Sequence, residues 1–147
     1  MDRKAVETIL ARLRAFADPS PLVPAGVRDS KLDEAIARLE ATPSLRAALH
    51  LWNDSLERCH ALAQEIHTPT GSYLHGVMHR RESDYGNAKY WFQRVGRHPV
   101  FPLLAEDWDP FHMVDQCEKA ARDPELELSL RPLQAREIAL LAEHCLK

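Results

Sequence analysis

The sequence predicts an all-α domain, and three observations lead there. Apolar residues recur at helical spacing from end to end, prolines and glycines fall between those runs, and no alternating stretch is long enough to pair as a strand. The one alternation, Leu126 to Leu130, is short and isolated. At 147 residues the chain has the length of one domain and can bury a substantial core without a disulfide or metal staple. A single helical domain over 1–147 is expected, built from six to seven helices.

Residues 3–17 place Val6, Ile9, Leu10, Leu13 and Phe16 on one face, with Asp2 as N-cap and Pro19 ending the run. Residues 18–30 hold three prolines and a glycine, and read as a surface crossing or linker. Ser30 followed by Asp33 makes a capping-box-like start for a helix whose apolar face is Leu32, Ala35, Ile36 and Leu39, running to Ala41. Thr42-Pro43 supplies an N-cap and first-turn proline for a helix over 43–52, which Asn53-Asp54 interrupts. With Asp54 capping, Leu56, Cys59, Ala63 and Ile66 continue from Ser55, so 43–66 is a helical hairpin with a very short turn.

A second hairpin spans 72–96. A helix from about Ser72 to Glu82 turns at Ser83-Asp84 into a helix from Tyr85 to about Val95, on which Tyr85, Ala88, Trp91, Phe92 and Val95 share a face. Gly96 is placed to cap its C-terminus. Asp109-Pro110 starts a helix with Phe111, Val114, Cys117 and Ala121, which Asp123-Pro124 ends. Pro132 then opens a last helix with Leu133, Ile138, Leu141, Ala142 and Cys145 inward.

Composition narrows the classes of function. Hydrophobic residues at 45% and charged ones at 28% are ordinary globular usage, which argues against a disordered tail. The chain carries −3 overall, yet Thr68 to Pro99 holds five basic residues against two acidic ones. That asymmetry permits a local anion site and argues against general nucleic-acid binding. Cys59, Cys117 and Cys145 are odd in number and widely spaced, as reduced, buried cysteines are. The N-terminal stretch is amphipathic rather than leader-like, and no segment approaches the roughly 18 apolar residues of a membrane span. A cytoplasmic protein that does not engage a membrane is expected.

Chemistry concentrates between His67 and Phe101, which holds four of the eight histidines. His75, His79 and Glu82 stand at i, i+4 and i+7, so on a helix they project from one face. Two imidazoles and a carboxylate are ligands for zinc or ferrous iron, with coordination positions left open. The same side chains equally suit boundary positions hydrogen-bonded to neighbouring helices. The zinc-protease pattern is absent, because no glutamate follows the first histidine. Glu57, His60 and Asp84 are candidate partners for the imidazoles. The adjacent pair Cys59-His60 points about 100° apart on a helix and does not make a nucleophile and base.

A second constellation, Arg80, Arg81, Lys89, Tyr90, Arg94 and His98, is basic and aromatic, and Arg97 adds to it. Arginine forks bind carboxylates or phosphates, and aromatics stack on a guanidinium or a ligand ring. No GxSxG elbow, dinucleotide fingerprint, phosphate loop or zinc-ribbon spacing is present.

Within 72–96, Gly76, the turn at Ser83-Asp84-Tyr85, Ala88, Phe92 and Val95 resemble a tetratricopeptide-type or Sel1-like repeat. In such repeats small residues let two helices approach while an aromatic plugs the gap between them. Residues 44–66 resemble a second repeat, with Asp54, Leu56, Cys59 and Ile66 at the equivalent positions. The period is 29, shorter than the roughly 34 of the family, and His75 and His79 stand where the family carries apolar and aromatic residues. The resemblance covers about residues 44–99 and implies two stacked hairpins with the flanking helices as caps. The stretch is also similar to a group of uncharacterised proteins sharing a GSYxHGxMHRRExDYxNAKYWF core, a likeness that brings no activity with it.

Two readings of function follow. One is a small binding module whose groove over residues 75–98 holds a peptide, a protein segment or an anionic small molecule. The other is a metal-dependent enzyme or metal-binding protein with zinc or iron at His75, His79 and Glu82. A leftover apolar patch would favour a homodimer.

Overall fold

A computed structural model describes residues 1–147, which form nine helices and no strand. In chain order they are α1 (Arg3–Arg14), α2 (Ser30–Ala37), α3 (Pro43–Trp52), α4 (Leu56–Ala63), α5 (Pro69–Arg81), α6 (Tyr85–Gln93), α7 (Phe101–Leu104), α8 (Pro110–Ala120) and α9 (Pro124–Cys145). The all-α class is as expected, but the count exceeds six to seven. Asp54 and Ser83 adopt left-handed backbone, at φ 62° and 66°, and break the helical ladder at both hairpin turns. Phe101–Leu104 adds a single turn that periodicity is too short to reveal.

Local chemistry sets most of the helix starts. Asp2, Thr42, Thr68, Asp84, Asp109 and Asp123 each accept a backbone N–H of the first turn, a cap worth about 1 kcal/mol. Several boundaries differ from the sequence reading. Thr68 caps α5, which starts at Pro69 rather than near Ser72, and α2 ends at Ala37 rather than Ala41. Asp29, not Ser30, caps α2, which leaves Asp33 free to turn inward, where it is buried. Asp54 does not cap α4, because its carboxylate faces Arg81 instead. Asp123-Pro124 opens α9 rather than only closing α8, and α9 runs unbroken through Pro132. An internal proline costs a helix about 3 kcal/mol. Here Leu126, Leu130 and Leu133 hold it down against the cluster of Leu22, Met113, Cys117 and Ala120. The alternation at Leu126 to Leu130 is thus helical surface, not strand.

The centre of the molecule is α5, in which every residue from Gly71 to Arg81 is buried. The α3–α4 hairpin packs on it from one side and α6 from another, with α8 beyond α6 and α9 laid against α3 and α8. Gly76 sets the approach of α6: a Cβ there would come within 3.0 Å of the Phe92 ring. A second apolar cluster, with Val6, Leu10, Leu13, Ile36, Leu45 and Leu49, seats α1 and α2 on the outer face of α3. Each such leucine or isoleucine contributes about 1.5–3 kcal/mol by leaving water. No helix is long and apolar enough to cross a membrane.

Candidate functional site

Because α5 is surrounded, its polar residues must find partners inside the protein. Arg80 and Arg81 end the helix, and each is only 1% exposed. Arg80 donates to Glu137 at 2.7 Å and to Gln134 at 3.1 Å, and the Tyr73 hydroxyl donates to the other oxygen of Glu137 at 2.7 Å. Burial opposes the Arg80 charge, but Glu137 outweighs it and holds the guanidinium above its ordinary pKa. Arg81 donates to Asp54 at 2.7 Å and to the carbonyls of Leu22, Leu51 and Pro21. Both cations are therefore enclosed among internal partners.

The rest of the expected basic groove disperses. Lys89 pairs with Asp115 at 2.6 Å, Tyr90 is exposed, and Arg94 lies 5.6 Å from the Trp91 ring centroid. His98 is buried. Its Nδ1 accepts from the Val100 N–H at 3.1 Å, so Nε2 carries the proton and donates to Thr70 at 3.0 Å. Burial, and then the neighbouring His144, lower its pKa to about 4, so the ring is neutral at pH 7.

The histidines do converge, with a different third member. His75 and His79 stack on α5 with centroids 4.8 Å apart, and His60 from α4 meets them edge-on at 4.8 and 5.5 Å. One donor atom from each of His60, His75 and His79 can be chosen so that all three lie within 4.8 Å of one another. His75 and His79 are buried and His60 half-buried. Trp91 lies flat against His75 at 3.8 Å, and burial, reinforced by His79 and His60, lowers the His75 pKa to about 4. The buried Nδ1 of His75 has no hydrogen-bond partner.

Glu82, expected as a ligand beside His75 and His79, sits behind His79 instead. Its carboxylate accepts from His79 Nδ1 at 2.6 Å, so His79 Nε2 holds the lone pair, which meets the Asn87 amide at 3.2 Å. Asp84 stands further off, at 3.9 Å from His79 Nδ1. Glu82 and Asp84 thus form a separate, exposed acidic group with His79. Glu57, the other candidate partner, is exposed and belongs to neither group.

No protein-family model, curated protein or solved structure matches this chain. The chemistry of the cluster is therefore the guide to function.

Other reactive residues are held inert. The Cys59 thiol is fully buried and pushed up to about 12, so it stays protonated. Asp33, His50 and Ser55 have the composition of a hydrolytic triad but not its geometry. His50 contacts one oxygen of Asp33 at 2.7 Å, and Ser55 donates to the other at 2.9 Å rather than to the imidazole. With Asn53 and Arg58 also reaching Asp33, this set ties α2 to the α3–α4 turn. Its only sequence signal was a run of polar residues at a turn, which does not announce burial.

Proposed function

We propose that this protein binds a divalent transition-metal ion, zinc foremost, through His60, His75 and His79. The observation that carries this reading is the unpartnered, buried Nδ1 of His75 in a group of three imidazoles drawn from two helices. A buried polar atom without a partner costs about 1–3 kcal/mol, which a coordinate bond would remove. Tetrahedral zinc with Zn–N bonds of about 2.0–2.1 Å needs nitrogens roughly 3.3 Å apart, so the rings close in by side-chain rotation on binding. Glu82 supports the reading too, since a carboxylate on the far nitrogen of a ligating histidine fixes its tautomer and raises its basicity. Three ligands would leave a fourth position for water or a small ligand.

The test is metal analysis of protein purified without an affinity tag, followed by titration with zinc, with cobalt and, anaerobically, with ferrous ion. Binding at one equivalent is expected, with His60→Ala and His75→Ala each weakening it by at least about 100-fold and Glu82→Gln by about 10- to 100-fold. Protein that takes up neither zinc nor ferrous ion would refute the reading. So would a His60→Ala variant that binds as tightly as the wild type.

The competing reading, a groove over residues 75–98 for a peptide or anionic small molecule, has less support, since Arg80 and Arg81 face inward. We read the α3–α4 and α5–α6 hairpins as tetratricopeptide-like in their stacking, on the support of the Gly76–Phe92 approach. The three free cysteines support a reducing, cytoplasmic setting.

A further inference from the structure

Arg14, Arg28 and Arg136 line one cavity away from His60, His75 and His79. The cavity, of about 460 Å³, lies between the C-terminal end of α1, the proline-rich crossing and the face of α9 that follows Pro132. That volume is within the ordinary range of small-molecule sites, about 300–1,000 Å³. Four arginines line it, Arg14, Arg28, Arg81 and Arg136, against two carboxylates, Asp18 and Asp54. Asp54 is already neutralised by Arg81 at 2.7 Å, so the balance at the walls is positive.

Two of these guanidiniums have no carboxylate partner. Arg28 lies 4.1 Å from the centroid of Phe16 and donates to the Ser20 hydroxyl. Arg136 donates to the backbone carbonyls of Leu103 and Leu104. Both are exposed, held by neutral groups and without a carboxylate partner, and each has further N–H donors. Arg14 reaches Glu143 only at 3.9 Å, between two half-exposed side chains. Deeper in, Gln134 is 2% exposed, and its amide nitrogen has a single long bond, 3.4 Å to the Leu22 carbonyl. Phe16, Trp52 and Ile138 supply apolar wall.

We propose that this cavity binds a small organic anion, an apolar or aromatic body bearing one carboxylate, sulfonate or phosphate. The anionic group is taken by Arg28 and Arg136, and the body lies along Phe16, Trp52 and Ile138. Guanidinium forks hydrogen-bond such oxyanions with charge assistance, and because Arg28 and Arg136 are exposed, salt screens the attraction. None of His60, His75 and His79 lines the cavity, so the site stands or falls independently of metal binding.

The probe is 8-anilinonaphthalene-1-sulfonate, followed by its fluorescence on the intact chain, with the uncharged N-phenyl-1-naphthylamine as comparison. Saturable binding at one site is expected, weakening by about tenfold as salt rises from about 50 to about 300 mM. Arg28→Ala and Arg136→Ala should each weaken it at least about tenfold, with unchanged far-ultraviolet circular dichroism, while Arg94→Ala should leave it unaltered. Arg28→Lys, which keeps the charge but not the fork, should bind more tightly than Arg28→Ala and less tightly than the wild type, separating the charge from the fork. The proposal is overturned if no saturable binding occurs, if both arginine-to-alanine variants bind like the wild type, or if the uncharged probe binds as tightly.

Discussion

Trp91 lies flat against His75, with ring centroids 3.8 Å apart and planes 11° from parallel. This joins α6 to the histidine cluster on α5 and places a fluorophore in contact with a proposed ligand. Adding cobalt or copper to the protein should quench tryptophan emission in proportion to metal bound. Trp91→Phe keeps an aromatic face on His75 and should remove most of that quenching, while Trp52 and Trp108 continue to emit. Quenching that survives Trp91→Phe undiminished would place the metal elsewhere.

Removing the carboxylate of Glu137 should be among the most damaging single changes in the chain. Arg80 is already without partners at Nε and Nη1, so Glu137→Ala leaves a buried cation almost uncompensated. The expected loss is about 3–5 kcal/mol, read as a fall in the urea midpoint at an unchanged slope. Glu137→Gln, which keeps one acceptor oxygen for Arg80 and turns an amide N–H to the Tyr73 hydroxyl oxygen, should cost less.

Acid should weaken the fold in a window set by the buried histidines. His98, enclosed by Thr70, Val100, Tyr73, Phe101 and His144, has its pKa lowered from 6.5 to about 4, and burial lowers that of His50 against the opposing pull of Asp33. The unfolded chain therefore binds more protons between those values, and stability rises with pH through the window. It is complete above about pH 6.5, and the His98 share falls by about 2 kcal/mol at pH 5. Urea melts at pH 7.5 and 5 measure the loss, and His98→Asn should reduce the difference, leaving the shares of His50 and His75. An identical difference in that variant would show that His98 does not contribute.

Gly76→Ala should be destabilising even though alanine is the better helix former. The added methyl lies 3.0 Å from the Phe92 ring, tighter than ordinary contact, and overpacking of this kind costs about 1–3 kcal/mol. Combining it with Phe92→Leu, which withdraws the ring, should recover part of the loss. Strictly additive thermal shifts would argue against the contact.

The helices were legible in the sequence because their determinants are local. A cap joins residues two or three apart, as Thr42 and Leu45 do, and an apolar face repeats within one turn. His75 and His79 were legible as a pair for the same reason. Where two local signals conflicted, at Asp123-Pro124 and Pro132, the sequence suggested a break, and packing of α9 over Leu22, Met113 and Cys117 decided otherwise. The tertiary structure alone decided which charges face inward. Helical periodicity says which residues share a face, but not whether a carboxylate waits opposite. Arg80 is buried because Glu137, 57 positions away, meets it, and Arg81 because Asp54, 27 positions away, does. The third imidazole, His60, and the convergence of Arg28 with Arg136 on one cavity likewise depend on helices and a crossing brought together by the core. A charged side chain can leave water only when its partner is supplied at the same place, and that place exists only once the chain has folded.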